Sequence, residues 1–201
     1  MKVTHTLAAL FLTLSAATPV AAGPLEDAVV ARDSGDYATA LSVFQTLANQ
    51  GVARAQFYLA KMYIESQGVQ QDLAEALKWG RKAADQGDAE AQFYLGLMYD
   101  TGQGVPRSGV EALKWYRLAA EQGYAAAQSN IGSKYADGED VPRDDVRAYM
   151  WLSLAAAQGN QLSSDFLGET VAPRMTPAKI AEAQRLIREW RLSAPGNSTS
   201  N

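Results

Sequence analysis

The chain has 201 residues, a formal charge of −4, no cysteine and a single histidine, His5. Those facts exclude disulfide staples, thiolate metal sites and cysteine nucleophiles, and the charge balance does not favour nucleic acid, which needs a concentrated basic footprint. With 47% hydrophobic residues and only 7 prolines, the composition suits one ordered, helix-rich unit.

Residues 1–22 read MKVTHTLAALFLTLSAATPVAA. A positive start at Lys2, an apolar stretch from Leu7 to Leu14, Pro19 and the small residues Val20-Ala21-Ala22 make the pattern of a secretory signal. Cleavage is expected after Ala22, which places the product in the periplasm or outside the cell. The apolar stretch is shorter than the ~20 residues a spanning helix needs, and no later segment is a candidate span. No cysteine follows the cleavage site, so a lipid anchor is not expected. Removal of this segment takes His5 with it. Ser–His–Asp catalysis and histidine-ligated metals then have no imidazole to use.

Leu25 to Arg32 predicts a short helix closed by the turn Asp33-Ser34-Gly35. Asp36 caps a second helix through Ala48. This pair reads as the atypical first member of a stack, because the following sequence repeats every 36 residues. Gln50-Gly51 returns as Gln86-Gly87, Gln122-Gly123 and Gln158-Gly159. Trp79, Trp115 and Trp151 keep the step, as do Tyr63, Tyr99 and Tyr135. The units are 52–87, 88–123 and 124–159. A fixed period of this length means one supersecondary unit stacked on itself.

Each unit predicts two helices. Helix A of the first runs from Ala53 to Glu65, with Ala55, Leu59, Met62 and Tyr63 on one buried stripe. A glycine-bearing loop follows, SQGVQ here and GQGVP in the next unit. Helix B opens at the column Asp36, Asp72, Ser108 and Asp144, all competent N-caps, which assigns these acids to structure rather than catalysis. Its tryptophans fill space between layers, and the pairs Ala83-Ala84, Ala119-Ala120 and Ala155-Ala156 allow close helix approach. Glycines 51, 87, 123 and 159 end it at C′. Gly96, Gly132 and Gly168 sit inside helix A, where glycine costs ~1 kcal/mol relative to alanine. They are expected to mark contacts too close for a Cβ, with Ala60 filling the same slot in the first unit.

Beyond Gly159, Leu162 to Val171 predicts a last helix A ended by Pro173. Thr176-Pro177 then opens a final amphipathic helix, AKIAEAQRLIREW, as a C-terminal cap. Residues 193–201 read as a flexible polar tail. The expectation is an all-α solenoid of about five antiparallel helix pairs over residues 23–192.

The string AQFYLGLMYDTGQGVPRSGVEALKWYRLAAEQG, residues 91–123, resembles the Sel1-like repeat, and the match extends over about residues 36–192. The departures are Ser108 for the usual Asp, Ala60 for Gly, and Glu139-Asp140 in the last loop, which is expected to alter that loop. The family is similar to tetratricopeptide repeats. The resemblance implies a right-handed superhelix with A-helices along the concave side, and binding or scaffolding without cofactor or metal. Exported bacterial members of the family are associated with envelope assembly, signalling and host contact.

On a helical wheel Arg54, Tyr58 and Lys61 lie beside the buried stripe of helix A. The same face continues as Glu90, Tyr94 and Leu97; Ala126, Asn130 and Ser133; then Leu162, Phe166 and Glu169. Tyr58, Tyr94 and Phe166, with Asn130 between them, form a column of aromatics suited to anchoring a protein or peptide, or to stacking on sugar rings. Packing between neighbouring A-helices is the structural alternative for Tyr58 and Tyr94, and the preferred one for Phe57 and Phe93. Three functions follow. The first is an exported scaffold that holds a protein or peptide. The second is a peptidoglycan or polysaccharide binder. The third is a hydrolase of β-lactam-like amides, an activity suggested for cysteine-rich relatives. The chain lacks their cysteines, a Gly-x-Ser-x-Gly elbow and a Ser-x-x-Lys motif, so an enzyme is not expected.

Overall fold

The computed structural model describes residues 23–193. The predicted signal segment, its cleavage site and the residues after 193 lie outside that range, while Ser193 ends a helix instead of opening the tail. Among the described residues the regular secondary structure is all helical, with ten α-helices and no strand. They are α1 (Pro24–Asp33), α2 (Tyr37–Asn49), α3 (Ala53–Glu65), α4 (Leu73–Asp85), α5 (Ala89–Thr101), α6 (Gly109–Glu121), α7 (Ala125–Asp137), α8 (Asp145–Ala156), α9 (Gln161–Phe166) and α10 (Pro177–Ser193). Helices pack mainly on their chain neighbours in a solenoid of antiparallel pairs, and α10 folds back onto α8.

The caps set the helix starts. Asp72 Oδ1 accepts the N–H groups of Ala74 and Glu75 at 2.9 and 3.0 Å. Asp144 repeats this with Val146 and Arg147. Asp36 accepts from Thr39 and Ser108 from Glu111. Each cap contributes about 1 kcal/mol by satisfying amides that have no intrahelical partner.

Bulk alternates across each helix pair. The column Phe44, Gly80, Tyr116 and Leu152 runs along the B-helices. A Cβ on Gly96 would lie 2.6 Å from the Tyr116 ring, and one on Gly132 would lie 2.7 Å from Leu152. Both glycines therefore make room for a large partner, as expected. The first unit inverts the pairing: Ala60 carries the methyl and Gly80 takes the small place, with a Cβ position 3.7 Å from Ala60 Cβ. A void of about 10 Å³ remains there, bordered by Phe57, Ile64, Leu95 and Met98. Gly168 does not fit the expectation, since nothing lies within 4 Å of its Cβ position. The predicted Leu162–Val171 helix also departs from regularity. It is α-helical only to Phe166, widens into a π-helical turn over Leu167–Val171 and tightens to a 3₁₀ turn over Ala172–Arg174. Pro173 has no N–H to continue the i→i−4 ladder, so the backbone changes its hydrogen-bond register before it.

Three glutamine pairs fasten the stack. Gln56 Nε2 donates to the Ala48 carbonyl at the end of α2, and Gln86 Nε2 at the end of α4 donates to Gln56 Oε1 at 2.7 Å. Gln92 and Gln122 repeat this on Ala84, and Gln128 and Gln158 on Ala120. Each pair satisfies a helix-terminal carbonyl and ties two successive B-helices to the A-helix between them. The sequence signal was present, as Gln56, Gln92 and Gln128 keep the 36-residue step.

Candidate functional site

The predicted groove residues lie on α3, α5, α7 and α9. Arg54, Tyr58, Lys61, Glu90, Tyr94, Leu97, Asn130 and Phe166 are all half-buried, neither sealed in the core nor fully open. Arg54 Nη2 is 2.6 Å from Glu90 Oε2, and Arg54 Nη1 is 3.4 Å from Asp88. Burial opposes the Arg54 charge, but Glu90 and Asp88 outweigh it and hold its pKa above the ordinary value. Two of the predicted contact residues are thus paired with each other. They share one repeat position, carry opposite charge and are one period apart, which is the signal that could have revealed the pair.

Tyr58 stacks on Phe44 at 5.0 Å between centroids, with the Arg32 and Arg54 guanidiniums 4.7 and 4.9 Å from its ring. The rings continue through Phe57 to Tyr94 at 5.3 Å, then through Phe93 to Tyr124 at 5.1 Å. Phe57 is buried and Phe93 half-buried, in keeping with a packing role. Lys61 Nζ sits 5.6 Å above the Tyr94 ring. Tyr58 and Tyr94 therefore belong to one aromatic chain across three units, with cations over their rings. A depression of about 370 Å³ opens between α1 and α3, bordered by Leu25, Val29, Val30, Arg54 and Tyr58.

The column ends at Asn130. That residue borders a hollow together with Asp100, whose Oδ2 accepts from the Tyr116 phenol at 3.2 Å, and burial and Asp100 raise the pKa of that phenol. Phe166 packs against the core formed by α6, α7 and α8 and makes no ring contact with Tyr94. Leu162 is 79% exposed beyond it.

One carboxylate cluster stands among the described residues at cation-binding spacing: Asp100, Glu139 and Asp140, with oxygens within 4.8 Å of one another. Its centre is already served by an ammonium. Lys134 is 5% exposed, and its Nζ lies 2.7 Å from Asp100 and 3.0 Å from Asp140. Burial works against the Lys134 charge, but bonds to Asp100 and Asp140 dominate and raise its pKa. Arg107 bonds Glu139 and reaches Asp140 at 3.4 Å. The Asp140 substitution does not reshape its loop as expected. Asp140 adopts φ +61°, close to the +73° of Gly104 at the equivalent place. Its carboxylate occupies the space above Gly109, where a Cβ would fall 1.8 Å from it. Asp tolerates this left-handed conformation better than most residues, and the basic partners hold it there.

Among the described residues no helix is long and apolar enough to cross a membrane. No curated protein sequence matches the chain. In solved structures, the chain is similar to a Sel1 repeat protein from Oxalobacter formigenes, at 36% identity and a TM-score of 0.68 over 72% of this chain and 59% of that one. It is also similar to c5321, a protective antigen present in uropathogenic Escherichia coli strains displaying an SLR fold. That match has 28% identity and a TM-score of 0.58 over 78% of this chain and 41% of that one. The chain thus spans about three fifths and two fifths of the lengths of these two proteins. The Sel1 repeat pattern matches residues 53–88, 89–124 and 125–160, one residue later than the units read from the period. With three matched repeats covering more than half its length and the same helical stack as these solved structures, the chain belongs to the Sel1 repeat family.

Proposed function

We propose that the protein is an exported, non-catalytic scaffold that holds a protein or peptide partner along its A-helices. The observation that carries this reading is the ring chain Tyr58, Phe57, Tyr94, Phe93 and Tyr124, with Arg32, Arg54 and Lys61 over its rings. Aromatics held from behind present contact area at little cost in side-chain entropy, and aromatic and arginine side chains dominate binding energy at protein interfaces. The depression beside Tyr58 offers a first anchor point. Membership in a repeat family of interaction scaffolds supports the same class of role. Export rests on residues 1–22, and cleavage after Ala22 would leave every described helix, from α1 at Pro24 onward, in the product.

The test is photo-crosslinking in cells from position 94, with mass spectrometry of the adduct and fractionation of the envelope. A discrete polypeptide adduct, lost in Tyr58→Ala with Tyr94→Ala, supports the scaffold. Sedimentation with purified cell wall that depends on the same two residues, without a polypeptide adduct, would replace it with glycan binding.

A further inference from the structure

A second surface, on the helix-B side, differs from its equivalent one repeat earlier. It emerges from comparing two equivalent junctions between repeats. In the first junction Arg81 Nη2 donates to Tyr99 Oη at 2.7 Å, and its guanidinium stacks 5.0 Å from the Trp115 ring, which is 9% exposed. That junction is filled by its own arginine. In the second, Arg117 Nη2 donates to Tyr135 Oη at 3.1 Å, but no guanidinium stacks on Trp151. Trp190 of α10 meets the Trp151 ring at 6.2 Å instead. A depression of about 430 Å³ stays open there, floored by Tyr135, Met150, Trp151 and Leu186.

The charge at this junction is inverted as well. The position held by Glu75 and Glu111 in the earlier units is Arg147 in the third. Glu75 accepts the indole N–H of Trp79 at 3.0 Å. At Trp151 that acceptor has become a cation, whose guanidinium lies 5.6 Å from the Tyr135 ring. Arg147 has only a 3.5 Å contact to Asp144, exposed and weak, and no carboxylate lies within ion-pair distance of Arg117 among the described residues. Glu121 is the single acid in the lining. Two arginines therefore border an apolar floor in a chain whose net charge is negative. Guanidinium forks match carboxylates bidentately, and the floor accommodates one large side chain.

We propose that this depression binds a short acidic peptide segment of a partner protein, its carboxylates on Arg117 and Arg147 and an intervening apolar side chain against Trp151, Met150 and Leu186. The site is separate from the A-helix groove and does not depend on that reading.

The test is calorimetric titration of the full chain, at low ionic strength, with a blocked pentapeptide of one phenylalanine flanked by two glutamates on each side. Expected are saturable one-to-one binding, at least tenfold weakening by Arg147→Glu, and at least tenfold weakening when the glutamates are replaced by lysines. Tyr58→Ala with Tyr94→Ala should leave the affinity unchanged. The Arg147 side chain is 59% exposed, so Arg147→Glu should keep the wild-type circular dichroism spectrum. Arg117→Lys, which keeps the charge but not the fork, provides a second variant and should weaken binding. No saturable binding up to about 1 mM, equal affinity for the lysine peptide, or full affinity in a folded Arg147→Glu variant would overturn the proposal.

Discussion

The same substitution should change stability in opposite directions at two glycines that sit in facing helices of neighbouring units. At Gly80, a Cβ meets only Ala60 Cβ at 3.7 Å, an ordinary contact beside a small void. Gly80→Ala gains about 0.8–1 kcal/mol of intrinsic helix preference, and burying the methyl adds up to about 0.8 kcal/mol. A net gain of about 1–1.5 kcal/mol corresponds to a rise in Tm of roughly 3–5 °C for a chain of this size. At Gly96 the intrinsic gain is the same, but the methyl would lie 2.6 and 2.7 Å from Tyr116 ring carbons and 3.2 Å from the Ala112 carbonyl oxygen. Tyr116 is fully buried, so its ring can give only by displacing Phe93 or the backbone. Overpacking of this kind costs about 1–3 kcal/mol, which leaves Gly96→Ala destabilised by roughly 1 kcal/mol. Thermal melting by far-UV circular dichroism, with urea unfolding as a second measure, reads both. Shifts of the same sign at the two positions would refute the argument that bulk is traded across each helix pair.

Replacing Gln92 by Met keeps volume but removes its bonds to Ala84 and Gln122, and should lower stability by about 2 kcal/mol in urea unfolding. An unchanged urea midpoint would mean that the glutamine pairs merely accompany packing. Gly109→Ala should destabilise the chain because Asp140 fills that space, while Asp140→Gly in the same chain should restore part of the loss. A double-mutant cycle with a coupling below about 0.5 kcal/mol would rule out the exchange of bulk between loop and helix. The raised pKa of Lys134 adds stability that is complete below its unfolded value of 10.5 and is lost as pH rises through the higher folded value. The alkaline fall in stability above that pH should therefore be shallower in Lys134→Met, measured by urea midpoints across the alkaline range.

The groove shows how a repeat conceals pairing. Arg54 and Glu90 occupy one register, and on a wheel of a single helix both point toward a ligand. Stacking puts the two helices side by side and joins the charges at 2.6 Å. Tyr58 and Tyr94 are similarly linked through Phe57, a residue that the sequence assigns to packing. Asn130 interrupts the aromatic column in the third unit and borders a hollow with Asp100, a neighbour that a single helix cannot reveal.

Local chemistry alone determined the period, the helix starts at Asp36, Asp72, Ser108 and Asp144, and the stops at the C′ glycines. A cap or a left-handed residue acts within one turn of its own position. Tertiary structure decided what depends on contacts twenty to forty residues apart. It set Gly96 against Tyr116 but left Gly168 facing open space, and it kept the loop geometry at Asp140 by means of Arg107 and Gly109. It also closed the Arg81 junction while leaving the Arg117 junction open. Helical periodicity specifies which face a residue occupies. The volume and charge it meets there belong to the neighbouring helix, so only the assembled stack settles whether a side chain is spent on packing or left to bind.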